Sequence, residues 1–97
     1  MPRIEEKKAI GSHAPKTRAD VVFRRTPEGG MLVDLSSSAC FGVNHVGADI
    51  WEQLAAGRTI EEIALSLAAE YRMDREVAER DVLRLCEEMR STGVLLT

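Results

Sequence analysis

The sequence predicts an α+β fold, a three-stranded antiparallel meander followed by three helices. Three observations carry this. From about residue 19 to residue 44 the apolar pattern has a period near two, and beyond it a period near 3.6. The links between the β-like runs are too short for the crossovers that parallel strands require. The chain has 97 residues, 44% hydrophobic and 30% charged, which is the balance of one small globular domain. With aromatics at 4%, the core must be built from Leu, Ile, Val and Ala.

Ala19–Thr26, ADVVFRRT, is the first strand, rich in β-branched and aromatic residues. Pro27–Gly30, PEGG, is a turn, because Pro fixes φ and glycine permits positive φ. Met31–Ser36 is the second strand, Ser36–Ser38 a tight link, and Ala39–Asn44, ACFGVN, the third strand. At Asn44 the period changes. Asn44 is the N-cap of a helix that starts at His45, presents Val46, Ile50, Trp51 and Leu54 on one face, and stops at Gly57.

Thr59–Glu62, TIEE, is a capping box, in which Thr and Glu satisfy free backbone N–H groups reciprocally. Ile60, Ile63, Ala64, Leu67 and Tyr71 continue it as an amphipathic helix. Met73 and Asp74 form the next link, with Asp74 as cap. The third helix runs over Arg75–Ser91 on a stripe of Ala78, Val82, Leu85 and Met89, and Gly93 ends it. Val94–Leu96 is an apolar tail that packs back on the core. Helices two and three form a helix-turn-helix and the meander is its wing, so the predicted fold is a winged helix-turn-helix.

Residues 1–18 show neither period and contain Pro2 and Pro15, so they read as a flexible basic arm ahead of a domain spanning residues 19–97. Arg3, Lys7, Lys8, Lys16 and Arg18 against Glu5, Glu6 and Asp20 put residues 1–20 at +2, and the remaining 77 at −5. No apolar run reaches the roughly 20 residues that cross a bilayer, and the first residues have no signal-peptide core. The expectation is a cytoplasmic protein, without a membrane partner and with free thiols at Cys40 and Cys86.

Chemistry-bearing residues are sparse. A nucleophile pair would need Cys40 or Cys86 beside His45 with an orienting group, and no such pattern is present. No Cys or His pair has metal-ligand spacing, and His13 falls in the basic arm. No glycine-rich phosphate loop opens a helix. The expectation is no enzyme, no metal and no cofactor. DNA binding by the third helix is the alternative that the element order raises. Over Asp74–Ser91, Arg75, Arg80, Arg84 and Arg90 face six acidic residues, a poor surface for a polyanion. A peptide-binding module fits better, because the edge of a three-stranded meander offers unpaired N–H and C=O groups to an extended peptide. A homodimer closed by edge pairing uses the same groups.

The stretches GGMLVDLSSSACFGVNHVGADIWEQLAAGRTIEEIALSLAAEY and DVLRLCEEMRSTGVLL resemble the PqqD-like family. The pattern is Val43-Asn44, Gly47, Ile50-Trp51, Leu54, Gly57, Thr59, Ile63 and Leu67, then Asp81-Val82, Leu85, Met89 and Gly93-Val94-Leu95, over about residues 29–96. The resemblance implies a small winged helix-turn-helix domain that is not a catalyst. It implies binding of the leader segment of a ribosomally synthesised precursor peptide, added as a strand to strand three beside helix three. It also implies a partner maturation enzyme such as a radical-SAM protein, a leader peptidase or a cyclase. The family usually ends strand three with aromatic-Leu-Asn, whereas this chain has Phe41-Gly42-Val43-Asn44.

On that basis the backbone of Ser38, Ala39, Cys40, Phe41, Gly42 and Val43 is expected to offer the ladder. Helical spacing puts Glu79, Leu83, Cys86 and Arg90 on one flank of the core stripe, and Leu83 marks that flank as the groove side. Arg90 or Arg75 is expected to pair with an acidic leader.

Overall fold

A computed structural model of the chain describes residues 14–96. Three strands, β1 (Val21–Thr26), β2 (Gly29–Asp34) and β3 (Ala39–Asn44), precede three helices, α1 (His45–Ala55), α2 (Ile60–Tyr71) and α3 (Arg75–Thr92). The sheet is antiparallel throughout, in the order β1-β2-β3. This is the α+β architecture that the change of period predicts.

The first hairpin is tighter than the PEGG pattern suggests. Only Pro27 and Glu28 form the turn, and β2 already begins at Gly29. Gly29 has φ 147°, and a Cβ there would lie 2.3 Å from the Val43 carbonyl oxygen. Glycine is therefore required twice over, by the positive φ that the PEGG pattern predicts and by the close approach of β3. Gly30 has a second packing reason, since a Cβ would strike the Phe23 ring at 2.4 Å. The ring of β1 thus lies over β2 on the core side. β1 also starts later than expected, because Ala19 and Asp20 form a turn in which the Val21 N–H donates to the Arg18 carbonyl at 3.3 Å.

The helix starts are set by local chemistry. The Asn44 side chain accepts from the Gly47 N–H at 2.8 Å, capping α1. At α2, Thr59 accepts from the Glu62 N–H at 3.1 Å while Glu62 accepts from the Thr59 N–H at 3.0 Å, completing the capping box. Each cap of this kind contributes about 1 kcal/mol. Asp74 occupies the N-cap of α3 but makes no side-chain cap bond there. Gly93, at φ 90°, ends α3.

Leu32 of β2, Ile50, Trp51 and Leu54 of α1, and Ile60, Ile63 and Leu67 of α2 are buried together. From α3 come Ala78, Val82, Cys86 and Met89, and the tail adds Val94 and Leu95. The stripe of α3 therefore differs from the expected one. Cys86 is 1% exposed and holds the core position, while Leu85 is only half-buried at its margin. Val46, expected on the buried face of α1, is also half-buried.

The expected arm is corrected at its C-terminal end. Pro15 is fully buried, and Thr17 bridges Leu95. The Leu96 N–H donates to the Lys16 carbonyl at 2.7 Å, and the Arg18 N–H donates to the Val94 carbonyl at 3.3 Å. The Arg18 guanidinium donates to Asp20, Asp34, Ser36 and the Gly93 carbonyl. Residues 14–18 are thus tied to the tail by a single bridge and one side-chain network, neither of which leaves a periodic trace in sequence. Residues 1–13, including His13 and the basic groups Arg3, Lys7 and Lys8, lie outside the described residues.

Asp34 anchors that network and is almost fully buried. The Ser36 hydroxyl and, against the cost of burial, the Ser36 amide and Arg18 hold its carboxyl down at about 2. A second cluster ties the sheet to the helices: Arg25 of β1 pairs with Asp49 and Glu52 of α1, and the Tyr71 hydroxyl donates to Asp49.

Candidate functional site

The site begins with the phase of the ladder. In a two-residue hairpin the flanking pair, here Thr26 and Gly29, is the hydrogen-bonded one. The Leu35 N–H donating to the Asp20 carbonyl at 3.0 Å sets the same phase at the other end. Since bonding sides alternate along a strand, Gly30, Leu32 and Asp34 of β2 bond to Val43, Phe41 and Ala39 of β3. The N–H and C=O groups of Cys40 and Gly42 therefore point away from the sheet. Among the described residues no strand pairs with that edge.

The side chains alternate the other way. Ala39, Phe41 and Val43 are half-buried toward the helices, while Cys40, Gly42 and Asn44 are exposed. Between β3 and α3 lies an open cleft of about 320 Å³. Phe41, Gly42 and Val43 form one wall, and Leu85, Glu88, Met89 and Thr92 of α3 form the other. Leu32 and Val94 also line it, and Asn44 and Gly47 lie where β3 turns into α1. A second hollow adjoins it, sharing Asn44, Gly47, Leu85 and Glu88 and adding Val46, Ile50, Asp81 and Arg84. Arg84 pairs with Asp81 at 3.4 Å. The result is an apolar trough with a charged rim, bordered by a strand with free main-chain groups.

Of the residues expected at the site, the structure brings Phe41, Gly42 and Val43 to the cleft. Ser38, Ala39 and Cys40 continue the same strand and turn without lining it. The expected helix flank lies away from the cleft. Glu79, Leu83, Cys86 and Arg90 line neither hollow. Cys86 is in the core, and burial pushes its thiol up to about 11, so it stays protonated at neutral pH. Leu83 is an exposed leucine, Arg90 pairs with Glu87 at 2.7 Å, and Arg75 pairs with Glu61 of α2 at 2.9 Å. The flank of α3 that borders the cleft, with Leu85, Glu88 and Thr92, is the opposite one. A helical stripe has two flanks, and the path of the chain through α1 and α2 decides which of them meets β3. The signal available in sequence was Cys86, whose 4-4-3 spacing with Ala78, Val82 and Met89 fits the core as well as Leu85 does.

His45 is exposed at the start of α1 and Cys40 is exposed on β3. Among the described residues no three His, Cys, Asp or Glu side chains are grouped to hold a metal ion. Nor, among them, is any helix long and apolar enough to cross a membrane.

Comparison with known families matches residues 29–95 to the model of PqqD, coenzyme PQQ synthesis protein D. The chain belongs to the PqqD family. Solved structures extend the likeness. TbiB1 in complex with the TbiA(beta) leader peptide is 31% identical, with a TM-score of 0.76 over 82% of this chain and 93% of that one. Lasso peptide synthetase B1 complexed with the leader peptide is 27% identical, with a TM-score of 0.78 over 87% of this chain and 99% of that one. The PqqD truncation of Methylobacterium extorquens PqqCD, described as a stand-alone recognition element for ribosomally synthesised and post-translationally modified peptides, is 24% identical. It aligns with a TM-score of 0.74 over 88% of this chain and 90% of that one, a likeness of fold. Comparison with curated protein sequences finds no match. In this PqqD-family chain the matched segment includes all of β2, β3, the three helices and the cleft between β3 and α3.

Proposed function

We propose that this PqqD-family chain is a non-catalytic, cytoplasmic peptide-binding protein. It takes the leader segment of a ribosomally synthesised precursor peptide as a fourth strand on β3 and presents it to a maturation enzyme. The observation that carries this is the β3 edge, whose Cys40 and Gly42 main-chain groups stand unpaired beside an apolar cleft. An extended peptide gains a ladder from those groups, and every second side chain enters the trough between β3 and α3. Two of the structural relatives hold leader peptides, which supports the same reading.

The placement of α3 argues against DNA recognition. Five acidic residues on α3 outnumber its four arginines, and Arg75, Arg84 and Arg90 are each paired with a carboxylate.

The test is an NMR titration of the full chain with the leader of a precursor peptide encoded next to it. Amides of Cys40, Gly42 and residues 85–92 should shift. Leu85→Ala should weaken binding about tenfold, or about 1.4 kcal/mol, while Leu83→Ala changes it less than about twofold. Shifts confined to the flank of Glu79 and Leu83, or self-association that blocks the titration, would defeat the proposal.

A further inference from the structure

Gly42 is a residue of β3 for which the fold supplies no reason. It lies in mid-strand, its φ is not in the positive range, and a Cβ there would meet nothing within 4 Å. Glycine inside a strand weakens it, through lost entropy and the absence of a side chain to pack. Gly29 and Gly30 have steric neighbours that forbid a side chain, and Gly42 has none.

What lies beside Gly42 is on the sheet face turned away from the helices. Met31 is its direct cross-strand partner and is 38% exposed. Met31 and Gly42 share a hollow of about 370 Å³ whose border includes Thr26, Glu28 and Val43. It runs along the same strand whose free edge takes the peptide.

We infer that the bound peptide carries a large aromatic residue opposite Gly42, and that its ring lies across Gly42 onto Met31. The inference rests on strand addition to β3 and extends it to a second, outward-facing contact. Because the Gly42 main chain points to the free edge, the peptide residue opposite it is the hydrogen-bonded partner. Its side chain emerges on the face where Gly42 has none. Adjacent strands are about 4.8 Å apart, so the peptide backbone stands about 10 Å from β2. A Val or Leu on the peptide falls short of Met31, and any side chain at position 42 would stand in the way. A Phe, Tyr or Trp ring spans the gap, covers the bare glycine backbone and meets the thioether. Selectivity for the peptide is then read on both faces of the added strand.

The experiment selects peptides from a displayed random library against the full chain and against Gly42→Tyr, which supplies a ring from β3 itself. Contact is mapped by the amide shifts of Cys40 and residue 42 and by nuclear Overhauser contacts to the Met31 methyl. The wild-type pool should be enriched in Phe, Tyr or Trp at the position that contacts Met31, and the Gly42→Tyr pool should not. Replacing that aromatic by Ala in one selected peptide should weaken binding to the wild type about tenfold, and to Gly42→Tyr less than about threefold. Gly42→Thr, whose side chain stands in the path of the ring, should weaken the aromatic peptide and reduce the preference for it. Peptides that shift the Cys40 and Gly42 amides but show no aromatic enrichment, or enrichment in Lys or Arg instead, overturn the inference and leave strand addition standing. Peptides that bind without shifting those amides overturn both.

Discussion

The two edges of the sheet are built from strands of equal length and opposite character. β1, VVFRRT, has charge on its edge. Arg25 is held by Asp49 and Glu52 of α1, and the Val21 N–H is occupied by the Arg18 carbonyl. β3, ACFGVN, has no charged residue, and its outer main-chain groups meet no partner among the described residues. Charge and local capping are the ordinary means by which proteins prevent edge-to-edge association. Here they are applied at one edge and omitted at the other. Neither strand has a neighbour on its outer side, so the difference teaches that β3, uncharged and beside the cleft, is the edge more open to an added strand.

The comparison can be broken most strongly at β3. Gly42→Pro removes one outward N–H and sets a ring in the path of the incoming strand, while the ladder to β2 uses Phe41 and Val43. Leader binding measured by calorimetry should fall at least about thirtyfold, or ~2 kcal/mol, with the melting temperature within about 2 °C of the wild type. If binding survives, the peptide does not use this edge. Opening the guarded edge is the converse change. Arg25→Val removes one of the two arginines and both ion pairs from β1, and sedimentation velocity should then show more concentration-dependent self-association than the wild type.

The clamp that closes β1 has a pH signature. The folded Asp34 carboxyl titrates at about 2, below its ordinary 3.8, so the unfolded chain takes up that proton first. The stability it contributes is intact at neutral pH and is lost as the pH falls from about 4 toward 2. Urea denaturation across that window should show the loss, and Asp34→Asn should flatten it. The smallest effect concerns the cluster beside Arg25. The hydrogen bond to Asp49, together with burial, pushes the Tyr71 phenol up to about 12. Tyr71 is the one tyrosine of the chain, so its absorbance titration is unambiguous, and Asp49→Asn should return the midpoint toward the ordinary 10.0.

How far the sequence spoke depended on how local each feature is. The strands, the Asn44 and Thr59 caps and the Gly93 stop are local, and a period of two or 3.6 announces them. The segment of residues 14–18 was not legible, because Arg18 finds Asp34 and Gly93 only once the sheet and α3 are in place. The β3 side is expected from the open edge of the meander and the family resemblance, and Phe41, Gly42 and Val43 do line the cleft. The α3 wall could not be read, because Leu85 and Cys86 both suit a core stripe, and the chain path through α1 and α2 chooses between them. Gly42 stood out in sequence as a departure from the aromatic-Leu-Asn ending, and its open surroundings emerged only with Met31 across from it.

Val94 carries a last consequence. It lines the cleft on one side, and its carbonyl accepts from the Arg18 N–H on the other. Amides held by a single isolated bridge ordinarily exchange through the cheapest local openings. Here the opening that frees Arg18 must also disturb the lining of the cleft. An occupied cleft should therefore slow deuterium uptake at the Arg18 and Leu96 amides, which lie behind Val94, so that the bridge between residues 16–18 and 94–96 reports on what the groove holds.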